Sequence, residues 1–436
     1  MIVLGEHFGF EKKTNRYFLA SSNWGFCNSL GSQKRVVKHF NNNEDTFCFT
    51  FNKNEDEYQF ETSYFIGVDW IGDSGVPINV QPKLNSESLE VDYLGMLFEA
   101  LQESENFNHL NALYTIDFNA PLIEIEQKQD KLTPLIFIEF LQLLKTIVRR
   151  GLKKSYYKVT ENLNSRVKGK ILINATVKQN HAKQKMLYNV CEYQEFGFNS
   201  IENRLLKKAL LFVKSALSSF KSSKQMDLSH VLDYILPAFQ HVDENIDIRT
   251  VKHIKPNPLF KEYGQALKLA KLILKKYSYN ISKTTETKIK TPPFWIDMTK
   301  LFELYVFKKM REVFPLNNEV IHHFTTNRQE LDYIIKSKDG LTKMVVDAKY
   351  KIRYQNGNIG IDDARQVSGY SRLKSVYKEL GLTGSDGLID CLIIYPDQSL
   401  SEDVKMVNAF ENDKVEDRNY VQVFKLGVRL PEIVGD

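Results

Sequence analysis

The chain has 436 residues, enough for two or three domains with sizeable cores, and its 42% hydrophobic and 26% charged residues are those of a globular protein, not of a disordered or fibrous one. A net charge of +5, from 59 basic and 54 acidic residues, permits a polyanionic partner without requiring one, so local clusters must decide. The four cysteines, Cys27, Cys48, Cys191 and Cys391, are scattered and form no CxxC pair, which argues against a cysteine-based zinc site or a disulfide framework.

The opening MIVLGEHFGFEKK carries charge too early for a signal-peptide core, and the most apolar stretch, Pro134 to Val148, is interrupted by Glu139, Gln142 and Lys145. A cytoplasmic protein with reduced cysteines and no membrane span is expected. Residues 1–125 read as a β-rich domain. Tyr64 to Trp70 and Val76 to Pro82 are strand-like runs joined by the turn composition Gly72-Asp73-Ser74-Gly75. The aromatic run Thr46 to Phe51, between polar loops at Asn41 to Glu44 and Asn52 to Glu57, reads as a hairpin with polar tips or as an element that docks on a partner. Leu94 to Leu101 has a short helical pattern. Trp24, Trp70 and Trp295 read as core aromatics.

Residues 126–290 read as a mainly helical middle domain. Ile136, Phe140, Leu143, Leu144, Ile147 and Val148 form a helical stripe that stops at Arg149-Arg150-Gly151. Val167 to Asn174 is a strand candidate, and Ser200 to Phe220 and Leu259 to Tyr277 are helices. The last of these carries Lys261, Lys268, Lys271, Lys275 and Lys276, followed by Lys283, Lys288 and Lys290. That basic segment reads either as a solvated face or as a contact to nucleic-acid phosphates without sequence reading. Gly169-Lys170 does not belong to a Walker A motif, because Asn164 and Ile171 replace the required Gly and Ser or Thr. No nucleotide site is expected in this chain. Thr291-Pro292-Pro293 marks a boundary.

Residues 291–436 read as an α/β domain with a mixed central sheet: a helix over Met298 to Phe314 containing Glu303, a strand over Val320 to Thr325, a hairpin, a helix over Asp362 to Leu380, and strands over Asp390 to Tyr395 and Tyr420 to Lys425. In the hairpin, Leu331 to Ile335 and Met344 to Tyr350 flank Asp339-Gly340, which suits a two-residue turn of the primed type. Cross-strand partners then share a residue-number sum of 679, so Lys338 faces Leu341 and Asp332 faces Asp347. Like charges directly opposed across strands are destabilising, and a divalent cation would relieve them. Oxygen ligands suit Mg²⁺ or Mn²⁺, and Lys349, two residues from Asp347 and so on the same face, could orient an attacking water. A surface hairpin with scattered charges is the competing reading. His322-His323 lie close to this site, but strand alternation sets them on opposite faces, so at most one could contribute. Asp362 and Asp363 read as caps of the following helix. Gln366 and Tyr370, four apart, share a helix face.

The order helix, meander, helix, strand, with Asp332 followed by Asp347-Ala348-Lys349, resembles the PD-(D/E)xK nuclease fold. Leu331 stands where a Pro often precedes the first Asp. Gln366 and Tyr370 match the QxxxY helix motif of members related to RecB nucleases, and Glu303 matches the acidic residue of the first helix. Within that superfamily the chain is most similar to the McrC family of McrBC modification-dependent restriction systems. The specific segments are FWIDMTKLFELYVFKKM (Phe294 to Met310) and DAKYK (Asp347 to Lys351); GVPINVQPKL, RRGL, VKGKILI and ENRLLKKAL resemble it more weakly. The resemblance implies a Mg²⁺-dependent endodeoxyribonuclease subunit acting on double-stranded DNA with an McrB-like AAA+ GTPase ring, whose GTPase it stimulates through its amino-terminal part. Asp332, Asp347, the Ala348 carbonyl and Glu303 would hold metal, Lys349 would activate water, and Gln366 and Tyr370 would support the site. A non-catalytic DNA-clamping subunit of such a ring, or a stand-alone repair-type nuclease, remain the alternatives.

Overall fold

The computed structural model describes residues 1–9, 18–20, 35–54, 57–86, 89–126, 132–219, 228–247, 260–280, 288–351, 354, 357–384, 387–401 and 405–433. In chain order the first elements are β1 (Ile2–Gly5), β2 (Phe18–Ala20), β3 (Arg35–His39), β4 (Phe47–Asn54), β5 (Glu57–Thr62), β6 (Phe65–Trp70), β7 (Pro77–Gln81), α1 (Tyr93–Ala100), β8 (Tyr114–Ile116) and β9 (Ile123–Glu126). Next come α2 (Leu132–Arg150), β10 (Ser155–Asn164), β11 (Lys170–Ile171), α3 (Ile173–Gln179), β12 (Tyr188–Gly197), α4 (Ile201–Ser219), α5 (Ser229–Ile235) and α6 (Lys261–Asn280). The remainder supplies β13 (Lys288–Thr291), β14 (Phe294–Asp297), α7 (Met298–Val313), β15 (Val320–Thr326), β16 (Gln329–Lys336), β17 (Lys343–Ala348), α8 (Ile361–Tyr370), α9 (Lys374–Glu379), β18 (Asp390–Pro396), α10 (Met406–Asn412), β19 (Val415–Glu416) and β20 (Val423–Val428).

The chain is a mixed α+β protein with several sheets, and it divides into two compact units. One comprises Met1–Asp130 together with Lys288–Asp436; the other is Lys131–Thr287. The segments 1–125 and 291–436 of the sequence reading therefore fall within one unit. In it, β1-β7-β6-β14-β8 form a five-stranded sheet, so β14 from the last third of the chain sits between β6 and β8. Gly67 makes this insertion possible. A Cβ at that position would lie 2.0 Å from the Phe294 carbonyl oxygen, closer than any side chain tolerates. Buried Trp295 on β14 packs with Phe49, Phe51, Phe60 and Phe65, and its indole N–H donates to the buried Asp69 at 2.8 Å.

The aromatic run at Thr46 to Phe51 lies, from Phe47 on, in β4, an inner strand of the four-stranded sheet β2-β5-β4-β3. Trp70 is half-buried and donates to the Pro121 carbonyl, whereas Trp24 lies outside the described residues.

The second unit packs α6 on α2 and α4, and α5 on α2. It also holds an antiparallel ribbon of β10 and β12, which sequence periodicity did not announce because it buries little beyond Leu163, Val190 and Cys191. The expected strand over Val167 to Asn174 shrinks to the two residues of β11, since Gly169 turns the chain at φ +71° and helix α3 begins at Ile173. Lys261, Lys268 and Lys275 are exposed along α6, Lys290 lies opposite Glu124 in the β13–β9 pair, and Lys283 is outside the described residues.

The six-stranded sheet β15-β16-β17-β18-β20-β19 is mixed: β15, β16 and β17 form an antiparallel meander, while β17, β18 and β20 run parallel. Its inner strands are apolar on both faces, as strands covered by helices must be. The helix expected over Asp362 to Leu380 is two, α8 and α9. They are separated where Leu373 adopts an extended conformation, φ −71° and ψ 128°, and Tyr377 N–H bonds back to its carbonyl. The final strand begins at Val423, not Tyr420, because Gln422 takes a left-handed φ of +56°.

Candidate active site

The hairpin forms with the expected register on a different turn. Tyr333 pairs with Val346, Ile334 with Val345 and Ile335 with Met344, all on the sum of 679. Ser337 N–H donates to the Thr342 carbonyl at 2.9 Å and Thr342 N–H to Ser337 Oγ at 2.8 Å, closing a four-residue loop, Lys338 to Leu341. Lys338 and Leu341 are thus loop residues and not strand partners. The loop is centred on Asp339-Gly340, with Gly340 at φ +72°, so the pairing sum survives the change of turn.

One step past the last ladder pair, the same register sets Asp332 against Asp347. There a side chain replaces the ladder: Ala348 N–H donates to Asp332 Oδ2 at 2.8 Å. Asp347 is 1% exposed, on a strand flanked by β16 and β18. Lys349 Nζ lies 2.7 Å from its Oδ2, and Oδ1 is buried without a hydrogen-bond partner.

The electrostatics follow from this crowding. Burial pushes the Asp332 carboxyl well above the usual carboxylate range, and the charges of Asp347 and Glu303 push it further, against the Ala348 amide and Lys349. Burial also raises Asp347, opposed chiefly by its ion pair with Lys349. For Lys349 burial acts to lower the pKa, but Asp347 and Asp332 outweigh it and hold the ammonium above its ordinary value. Excess negative charge in a poorly solvated site is the condition a divalent cation satisfies.

Glu303 reaches this region from α7. That helix starts where the Asp297 carboxylate accepts from the Thr299 and Lys300 N–H groups, and it buries Leu301, Phe302, Leu304 and Tyr305. Tyr333 on β16 donates its hydroxyl to the Glu303 carbonyl and ties helix to sheet. The structure thus brings together Asp332, Asp347, Ala348, Lys349 and Glu303. Gln366 and Tyr370 bond to each other, Gln366 Nε2 donating to the Tyr370 hydroxyl at 2.7 Å, and among the described residues neither is hydrogen-bonded or ion-paired to Asp332, Asp347 or Lys349.

Two groups differ from the sequence reading. Gly360 occupies the N-cap of α8 with no side-chain cap, so Asp363 is not a cap. It is buried and binds Lys351 Nζ at 2.6 and 2.8 Å and the Tyr354 hydroxyl, and its charge bears on Asp347 and Lys349. The DAKYK segment held the available signal, since Lys351 needed an acidic partner. His322 and His323 do not lie on opposite faces. His323 takes a left-handed φ of +54° where the β15–β16 pairing skips it, and the two rings stand 3.8 Å apart beside Glu303.

A mixed sheet that buries two opposed carboxylates beside a lysine defines a candidate site for a hard divalent cation in an α+β protein. The family described as "McrBC 5-methylcytosine restriction system component" matches residues 65–380, and the chain belongs to that family. It is therefore a component of a McrBC restriction system. Its sequence has no significant match among the curated proteins. Among solved structures it is similar to a half-complex from a tetradecameric assembly of Thermococcus gammatolerans McrB AAA+ hexamers with bound McrC. That match has 13% identity, 98% of this chain and 94% of that chain covered, and a TM-score of 0.38. A cryo-EM structure of the Thermococcus gammatolerans McrBC complex matches at 14% identity, 71% and 86% coverage and a TM-score of 0.27. Among the described residues, no helix is long and apolar enough to cross a membrane.

Proposed function

We propose that this chain is the nuclease subunit of its restriction system, a PD-(D/E)xK endodeoxyribonuclease that hydrolyses phosphodiesters of double-stranded DNA. The observation that carries the reading is the buried, unpartnered Asp347 Oδ1 beside Lys349 and across from Asp332. Oxygen donors in that setting fit Mg²⁺ or Mn²⁺, held by Asp332, Asp347 and the Ala348 carbonyl with Glu303 in support. Bound there, the ion would polarise the scissile phosphate and lower the pKa of a bound water.

Lys349 orients the attacking water and offsets the charge that builds on the phosphate oxygens. The water oxygen bonds to phosphorus as the P–O3′ bond breaks, leaving a 3′ hydroxyl and a 5′ phosphate. Asp363 steadies the lysine-rich segment through Lys351, and Gln366 with Tyr370 contacts the DNA backbone next to the site. The exposed lysines of α6 add phosphate contacts without reading sequence. A McrB-like AAA+ GTPase ring is the partner, engaged by the amino-terminal part of the chain, and supplies the nucleotide site. The setting is the cytoplasm, in defence against foreign or modified DNA.

The test is cleavage of double-stranded DNA by the chain with its ring partner, GTP and Mg²⁺. Asp347→Ala and Lys349→Ala are each expected to lower the rate by about 10²–10³-fold or more, the scale of losing one group that stabilises developing charge. Stimulation of the partner GTPase should persist in both. Cutting at the wild-type rate by either variant would falsify the assignment.

A further inference from the structure

A second polar cluster adjoins the carboxylates; it shares Glu303 with the proposed hydrolysis, which uses none of its three histidines. His109 follows the 3-10 segment Ser104–Asn108, His322 and His323 lie on β15, and Glu303 projects from α7. Ring centroids are 3.8 Å apart for His322 and His323, 4.9 Å for His109 and His322, and 4.8 Å for His109 and His323. One ring nitrogen from each of the three lies within 4.8 Å of the others. Glu303 Oε1 is 3.4 Å from Nε2 of both His322 and His323.

His322 makes this more than a chance gathering. Its side chain is 0% exposed and its ring lies near-parallel to those of Phe307 and Tyr333, at interplanar angles of 17° and 16°. Neither ring nitrogen has a hydrogen-bond partner of acceptable geometry, despite the nearby Glu303 oxygen. An imidazole buried in this way leaves polar atoms unsatisfied, which costs stability. A ligated ion would satisfy them.

We propose that His109, His322, His323 and Glu303 form a second metal site, selective for Zn²⁺ over Mg²⁺. Three neutral nitrogens and one carboxylate oxygen are a donor set for zinc, whereas magnesium takes oxygen and water. Glu330 sits against His323 Nδ1, the arrangement in which a carboxylate holds one ring nitrogen and turns the other toward a metal. Tetrahedral zinc at about 2.0–2.1 Å from nitrogen needs donors about 3.3–3.4 Å apart, so loading draws the imidazoles together by about 1 Å. Because Glu303 also faces Asp332 and Asp347 electrostatically, zinc here would hold that carboxylate away from the neighbouring hard-ion site. The inference stands on the histidine geometry and does not depend on the nuclease reading.

The test uses the full chain, stripped with EDTA, reloaded with one equivalent of Zn²⁺ in excess Mg²⁺, desalted, and measured for bound metal and for thermal unfolding. About one zinc per chain should be retained, with a raised melting temperature, and Co²⁺ in its place should show the visible bands of a four-coordinate ion. His109→Asn and His323→Gln should each weaken retention by at least about 10–100-fold, as judged against a zinc-buffering chelator. Asp347→Asn should leave it intact. The metal-free melting temperature of each variant confirms that it folds, and His322 is left unaltered because it is part of the core. Failure of the wild-type chain to retain zinc overturns the proposal. So does retention unchanged in both histidine variants, or lost in Asp347→Asn, since the ion would then belong elsewhere.

Discussion

Two polar clusters draw on neighbouring strands of the same sheet and are built in opposite ways. Asp332 and Asp347 stand on regular strands, in register, with a counter-ion in Lys349, 2.7 Å from Asp347. The histidines depend on an interruption: the β15–β16 pairing skips His323, which is left-handed, and the His322 ring packs against Phe307 and Tyr333 with Glu303 as the neighbouring anion. The carboxylates suffer from burying too much negative charge, His322 from burying two ring nitrogens without partners. Regular backbone suits a site that must hold two like charges in fixed opposition. A local break suits one that must gather side chains from a loop, a strand and a helix.

The widest separation of the two should come from metal dependence. Asp347→Ala is expected to lose DNA cleavage by about 10³-fold in a Mg²⁺ assay. Glu303→Gln, which touches both clusters, should lower cleavage by a smaller factor, about 10-fold, and weaken zinc retention in the same protein. Equal losses in cleavage from both variants would merge the clusters into one site. Next in size, Phe307→Ala removes a ring against which His322 stacks and should cost about 3–5 kcal/mol in denaturant unfolding, as large core deletions do.

The third contrast is in pH, measured without metal. His109 is pushed down to about 4, mainly by burial and then by the other two imidazoles, so the unfolded chain binds more protons between pH 4 and 6.5. Stability from that group therefore rises with pH across the window, by about 1–3 kcal/mol once its partial exposure is allowed for. Asp332 is raised, so the native state binds the extra proton and its contribution falls as pH rises above the ordinary carboxylate range. Relative to wild type, His109→Asn should gain stability on acidification and Asp332→Asn on alkalinisation, read from unfolding midpoints. The same trend in both would refute the opposed design. Smallest of all, Gly340→Ala forces a side chain into φ +72° with open space around it, and should cost about 1 kcal/mol in melting experiments while leaving the register and cleavage intact.

That contrast also explains what was readable in the sequence. The hairpin register could be obtained from Asp339-Gly340 because a longer symmetric loop preserves the pairing sum, and the helix bearing Glu303 followed from its apolar period. Alternation failed at His323, because a single left-handed residue is invisible to a period-two pattern and moves a ring from one face to the other. Asp363 was misread for a related reason: an acidic residue in the first turn satisfies the rule for a cap, and only the fold reveals that Lys351 and Tyr354 claim it. The β10–β12 ribbon was missed because strands solvated on both faces carry no hydrophobic period.

The placement of β14 has a consequence for biosynthesis. The five-stranded sheet needs Phe294–Asp297 between β6 and β8, so strands made early wait for a segment synthesised after the whole Lys131–Thr287 unit. At about 5–20 residues per second that delay is on the order of ten seconds. During it, the unfilled edge of β6, with Gly67 at its centre, is an open pairing surface for any extended chain nearby. The intervening unit is positioned in the gene to fold first, and a ribosome that stalls within it would release a sheet still lacking a central strand.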